Sequence, residues 1–128
     1  MNTARTVTAC FAVIALTLLC SCKTYVAADG NALIMKRGPN YWEVNVEGKV
    51  KDVYRAALAG ISDLELKVVH EQADNVTGLI DGAFADLSEF QINFFQASPA
   101  STRVRIYVGL TAHKGRSEQL AAAMQNNL

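Results

Sequence analysis

Tyr41-Trp42-Glu43-Val44-Asn45-Val46-Glu47 is followed, after Gly48-Lys49, by Val50-Lys51-Asp52-Val53-Tyr54-Arg55-Ala56-Ala57-Leu58-Ala59-Gly60-Ile61, and the apolar period changes between the two runs. In the first, Trp42, Val44 and Val46 alternate with Tyr41, Glu43, Asn45 and Glu47. A period of two is that of a strand with one buried and one wet face. In the second, Val50, Val53, Tyr54, Ala57, Leu58 and Ile61 fall on one stripe at helical spacing. The spacing predicts a helix from about Lys51 to Ser62, with Asp52 placed to favour the positive end of its dipole.

Toward the C-terminus, period two returns four times. Leu64, Leu66 and Val68 alternate with Glu65, Lys67 and Val69, and Asp74-Asn75 supplies a turn into Val76 to Phe84, so this pair reads as a hairpin. Gly78 and Gly82 fall on the same face as Val76, Ile80 and Phe84, where a missing side chain marks a bulge or a close neighbour above. Phe90, Ile92 and Phe94 alternate with Gln91, Asn93 and Phe95, and beyond Ser98-Pro99-Ala100-Ser101, Val104, Ile106 and Val108 alternate with Arg103, Arg105 and Tyr107. A last helix is expected from about Ser117, taken as its N-cap, with Leu120, Ala123, Met124 and Leu128 on one stripe. The order β-α-β-β-β-β-α makes an α+β two-layer sandwich, a mostly antiparallel sheet with two helices on one face. Roughly 90 residues bury a modest core without help from disulfides.

Toward the N-terminus the character is different. Arg5 gives a positive n-region, Val7 to Cys20 is uncharged and mostly apolar, and Leu19-Cys20-Ser21-Cys22 resembles the lipobox of bacterial lipoproteins. Small Ser21 suits the narrow cleavage site of the lipoprotein signal peptidase, and the Cys22 thiol is the nucleophile that accepts diacylglycerol. Cys20 is the poorer acceptor, since bulky Leu19 precedes it; as the residue two before Cys22 it also stands where Ala, Ser, Thr or Val is more usual. The alternatives are an uncleaved anchor or an ordinary secretory signal. A spanning helix needs about 20 apolar residues, and this run is shorter and holds Thr8 and Thr17. The expected division is a signal peptide over 1–21, a tether over 22–39 whose inner apolar stretch Leu33 to Met35 pairs weakly with the sheet, and the domain over 40–128. The mature chain is expected in the bacterial cell envelope, on the periplasmic side, held to its membrane by lipid on Cys22, palmitate included.

All three cysteines, Cys10, Cys20 and Cys22, lie in or at the end of that segment, which leaves no disulfide framework and no His or Cys cluster to complete a metal site around Cys20 and Cys22. Loss of the signal removes Arg5 alone, so eleven basic and twelve acidic side chains remain, scattered rather than clustered. That balance argues against nucleic acid as a partner.

Asp52-Val53-Tyr54, Ala56-Ala57-Leu58, Asp63-Leu64-Glu65-Leu66-Lys67-Val68, Asp74-Asn75-Val76-Thr77-Gly78, Thr102-Arg103-Val104-Arg105-Ile106 and Val108-Gly109 resemble a family of small bacterial lipoproteins catalogued only as a domain of unknown function. The resemblance spans about Val44 to Leu128. It implies a lipoprotein with this domain order and no known activity. After Gly109 the chain departs, with Leu110-Thr111-Ala112-His113-Lys114-Gly115 where that family continues with a Phe-Gly-Asp type turn.

Candidate chemistry is sparse. His70 extends the row Leu64, Leu66, Val68, and His113 lies in a loop; neither has a nucleophile or acid pair beside it in sequence. Asp74, Asp81 and Asp86 read as turn residues, as does the sequon Asn75-Val76-Thr77. No cofactor is implied, and the expectation is a binding or scaffolding module of the envelope, with a small anion-binding domain or an envelope enzyme of unrecognised site as the alternative. Lys114, Arg116 and Ser117 at the start of the last helix form one candidate site, for an anion, because a helix terminus offers free N–H groups and partial positive charge. The other candidate is the open face of the sheet, expected to carry Tyr41, Glu43, Lys67, Gln91, Asn93, Phe95, Arg103, Arg105 and Tyr107. Of these, Phe95, Arg103, Arg105 and Tyr107 are the candidate partner surface, for an envelope protein or a second copy of the chain, since aromatic residues and Arg supply most interface energy.

Overall fold

The computed structural model describes residues 23–26 and 32–128. Seven strands form one sheet: β1 (Lys23–Val26), β2 (Ala32–Arg37), β3 (Trp42–Glu47), β4 (Lys67–Ala73), β5 (Thr77–Ala83), β6 (Glu89–Ser98) and β7 (Ser101–Val108). Their order across the sheet is β1-β2-β3-β7-β6-β5-β4, and every neighbouring pair is antiparallel. Helix α1 (Val50–Asp63) follows β3, and helix α2 (Lys114–Gln125) follows β7. From β3 onward this is the expected β-α-β-β-β-β-α order, an α+β architecture. Two strands precede it, within the segment 22–39 expected to be a tether. Leu33 and Met35 of β2 are buried in the main core, because β2 pairs Met35 with Val44 and so sets its apolar row beside that of β3.

The core is built from alternate positions. Val44 and Val46 of β3, Val104, Ile106 and Val108 of β7, Phe90, Ile92 and Phe94 of β6 and Ile80 of β5 are buried together with Val50, Val53, Ala57 and Ile61 of α1 and Leu120, Ala121 and Met124 of α2. In register, Val104 lies between Val44 and Phe94, and Ile106 lies between Trp42 and Ile92. The helices meet at Gly60, where a Cβ would stand 2.6 Å from the Ala123 carbonyl carbon. Only glycine allows that approach. Gly82 is the sheet's counterpart, since a Cβ there would collide with the Phe90 ring and stand 2.6 Å from the Lys67 carbonyl.

Four expectations are corrected. The strand expected from Leu64 starts at Lys67, because residues 64–66 close α1. The Glu65 N–H donates to the Ser62 carbonyl and the Leu66 N–H to the Ile61 carbonyl, with Glu65 in the left-handed region at φ 56°. This is the Schellman pattern of a helix end, carried by Glu in place of the usual Gly. His70 does not extend an inward row. Val68 pairs with Gly82 and His70 with Asp81, so a bulge at Val69 reverses the parity of β4 and leaves His70 exposed. Val76 belongs to the turn before β5 and is exposed.

The fourth correction concerns α2. It begins at Lys114, and its N-cap is His113, whose Nδ1 accepts the Arg116 N–H at 3.2 Å. Ser117, expected as the cap, is fully buried inside the first turn, and its hydroxyl donates back to the His113 carbonyl at 2.7 Å. Imidazole is an uncommon cap, and nothing in the local pattern singles out His113 for the task.

Candidate functional site

The side chains that alternate with the core rows lie on the opposite face of the sheet and are half-buried or exposed. Register brings the candidate residues together there. Phe95 pairs with Arg103, Asn93 with Arg105 and Gln91 with Tyr107 between β6 and β7, while Glu43 pairs with Arg105 and Asn45 with Arg103 between β3 and β7.

Arg105 is the centre of this surface. Its Nε donates to Glu43 Oε2 at 2.9 Å, and its guanidinium lies 4.8 Å from the Tyr41 ring centroid and 5.3 Å from that of Phe95. The other Glu43 oxygen is 3.6 Å from Arg103 Nε, so one carboxylate bridges two guanidinium groups. Tyr41 packs on Tyr107 at 5.3 Å with the rings tilted by 55°. The hydrogen bond that Arg105 donates to Glu43 pushes the Arg105 pKa up, and the group is a fixed cation at any physiological pH. The stacked rings around the paired Arg restrict the side-chain rotamers of this surface.

The anion candidates are engaged elsewhere. Arg116 donates from Nη2 to Asp86 Oδ2 at 2.6 Å, from Nη1 to Asp86 Oδ1 at 3.2 Å and from Nη1 also to the Ser88 hydroxyl, and it covers the Phe84 ring at 4.5 Å. The Arg116 hydrogen bond leads the effects that hold the Asp86 carboxyl far below the usual carboxylate range, assisted by Ser88. Lys114 Nζ lies 3.4 Å from Glu118 one turn along the helix. The three residues do not converge on one point. Sequence reading missed the pair Asp86 and Arg116, which are 30 positions apart and carry no local signal.

Of the other candidate acids, Asp74 is a turn residue as expected, whereas Asp81 lies within β5, paired with His70 and Gln91, and not in a turn. Asp74 Oδ1 accepts the N–H groups of Val76 and Thr77, both at 2.8 Å, and these bonds lower its pKa. Asp81 Oδ1 accepts a hydrogen bond from the Gln91 side chain at 2.8 Å on the open face. Among the described residues no group of three or more His, Cys, Asp or Glu side chains could hold a metal ion, and none of the helices there is long and apolar enough to cross a membrane. Cys22 lies outside the described residues.

Two further contacts were not foreseen. Trp42 Nε1 donates to the Ala112 carbonyl at 2.9 Å in a buried setting, and Arg37 Nη2 donates to the Thr111 carbonyl at 3.1 Å, so β2 and β3 hold the loop between β7 and α2. A family described as "Protein of unknown function (DUF3568)" matches residues 5–127, and the chain belongs to it. A search of curated proteins finds no match.

Proposed function

We propose that this member of the family is a lipid-anchored binding module of the bacterial envelope, joined to its membrane through Cys22 and engaging a protein partner with the open face of its sheet. Two features of the sequence support the anchor: the lipobox-like Leu19-Cys20-Ser21-Cys22, and the apolar run that precedes it and is too short to span. In this reading both helices cover one face. The single core cluster, the α1–α2 contact at Gly60 and Ala123, and the contacts of α1 with β4 to β7 and of α2 with β3 and β7 favour it.

The observation that carries the binding reading is the Arg105 cluster. Buried salt bridges and aromatic stacks in a core would be structural, but these stand on a half-exposed surface where exposed ion pairs contribute only about 0–1 kcal/mol to stability. Aromatic and Arg side chains held rigidly at a surface are what interface centres are made of. An anion site at Lys114 and Arg116 has less support, because their charges are already met by Glu118 and Asp86.

Each half of the proposal has its own test. Cys22→Ala should abolish palmitate labelling and leave unprocessed precursor, and labelling that survives there but is lost in Cys20→Ala overturns the assignment. For the face, a photo-crosslinking residue at Tyr107 should yield protein adducts in living cells, whereas one at exposed Gln119 on α2 should not. Equal yields from both positions, or a yield that depends on Lys114 and Arg116, would contradict the reading. Adducts of twice the chain's mass would identify a second copy as the partner.

A further inference from the structure

We propose that the partner of the open face is a second copy of this chain, the two sheets packing face to face about a two-fold axis; the inference deepens the reading of that face as the partner surface and rests on it. A two-fold contact needs a surface that complements itself, so that a cation of one copy meets an anion of the other and the reverse contact repeats it. Among the described residues the open face carries four Lys and Arg side chains and four Asp and Glu, a balance of zero. Glu43 stands 2.9 Å from Arg105 and 3.6 Å from Arg103, so one carboxylate serves two guanidinium groups and leaves one positive charge over. Arg103 is the one left, with the longer contact and 45% of its side chain exposed against 30% for Arg105. The others are Lys36 of β2, Glu47 of β3, Lys67 of β4, Asp81 of β5 and Glu89 of β6, and none of these makes an ion pair among the described residues.

Register fixes where these charges stand. Asp81 pairs with Gln91 and Arg103 with Phe95, and Asn93 lies midway between Gln91 and Phe95 on β6, so Asn93 marks the midpoint of the line from Arg103 to Asp81. An axis lying in the face through Asn93, at right angles to that line, turns Arg103 of one copy onto Asp81 of the other, each about 8 Å from the axis at the usual spacings of about 4.8 Å between strands and about 3.4 Å per residue. Those two residues alone place the axis. On the same grid it also turns Lys67 onto Glu47 and brings Lys36 to within about one strand spacing of Glu89, so every charge left unmatched in one copy meets an opposite one in the other.

Uncharged groups follow the same axis. Phe95 falls on Leu79, apolar on apolar, and Asn93 meets its own image, where an amide that both donates and accepts complements itself. The strands of the two copies cross at roughly 70°, which belongs to the orthogonal class of sheet packing. From β2 to β4 the face offers roughly 600 Å² per copy, on the order of the ~800 Å² per partner that a standard interface buries. Asp81 gains most from the contact. Its carboxylate accepts the Gln91 amide at 2.8 Å and has no cation within ion-pair distance among the described residues, and Arg103 of the second copy supplies one.

The test uses the full chain, made in a bacterial host, solubilised in mild detergent and carrying one or the other of two affinity tags, so that co-purification of the two forms measures self-association. Arg103→Asp and Asp81→Arg should each weaken it by about 100-fold, since like charges then face each other twice across the axis. Mixing the two variants is the decisive arm: each new carboxylate meets a guanidinium, and association between them should return to within about three-fold of the parent. Only folded chains can be rescued in this way; should circular dichroism show either variant unfolded, Lys36→Glu and Glu89→Lys repeat the scheme with two exposed side chains. A mixture as weak as either variant alone, single variants that associate like the parent, or a parent that does not self-associate would overturn the proposal. In the last case, adducts of another mass from the photo-crosslinking residue at Tyr107 would keep the open face as a partner surface without a second copy, and an absence of any adduct would remove that reading too.

Discussion

On β7, Thr102, Val104, Ile106 and Val108 are at most 2% exposed, while the residues between them, Arg103, Arg105 and Tyr107, look onto solvent from the other side of the same strand. β4, at the sheet's edge, has the same strand length to within a residue and no fully buried side chain. The difference follows from neighbours: β7 is paired on both sides, by β3 and β6, whereas β4 is paired only by β5 and its parity changes at Val69. A central strand converts alternation into two surfaces of opposite character. An edge strand with a bulge and a terminal Lys67 gives up that pattern and thereby resists pairing with a stranger. Binding capacity is thus expected on the open row of β7 and its neighbours, and stability on the covered row.

The contrast breaks most visibly at Val104. Val104→Asp would put an unpaired carboxylate between Val44 and Phe94 and should cost about 4 kcal/mol or more, enough that no cooperative thermal transition remains. Next in size is Gly60→Val, which forces α1 away from the Ala123 backbone and should cost about 2–3 kcal/mol in urea unfolding. Arg105→Asp, one residue from Val104, should cost no more than about 1–2 kcal/mol, from the lost bond to Glu43 and the new repulsion beside it. If Arg105→Asp proved as damaging as Val104→Asp, the two rows would not differ as described.

The smallest effect concerns Asp86. Its folded pKa is depressed, so the stability it contributes is fully present above the ordinary carboxylate value near 3.8 and is lost as pH falls through the lower folded value. Asp86→Asn should therefore be slightly less stable than the parent at pH 7, and the deficit should shrink in acid below pH about 3.8. A deficit that grew on acidification would mean that the carboxylate is not held by Arg116.

The strands and helices from Trp42 onward were legible because a half-buried antiparallel sheet writes its period into the chain, as in Val104, Ile106 and Val108. The make-up of the open face was legible for the same reason, since residues that alternate with a core row must share the other side. What escaped reading was set by contacts distant in sequence or by local hydrogen bonding. Leu64 and Leu66 keep a strand's alternation, yet the free carbonyls of α1 draw residues 64–66 into its cap. Val69 looks like any strand residue, and only pairing with β5 shows it to be a bulge. Leu33 to Met35 is expected only to pair weakly from within a tether, and it is the matching row of β3 that makes it a full strand with Leu33 and Met35 in the core. The start of α2 was misplaced because Ser117 is a better cap by residue type, whereas His113 lies where the loop held by Trp42 delivers the chain.

The central claim, that the open row is a working surface rather than part of the scaffold, is tested most directly by one paired measurement on Arg105→Gln. With a photo-crosslinking residue at Phe95, adduct yield in cells is compared between this variant and the parent, and the urea midpoints of both are measured alongside. The account predicts a yield lowered by about ten-fold, the loss of roughly 1.4 kcal/mol at an interface centre, with midpoints that nearly coincide. An unchanged yield, or a loss that merely follows a lowered midpoint, would contradict it.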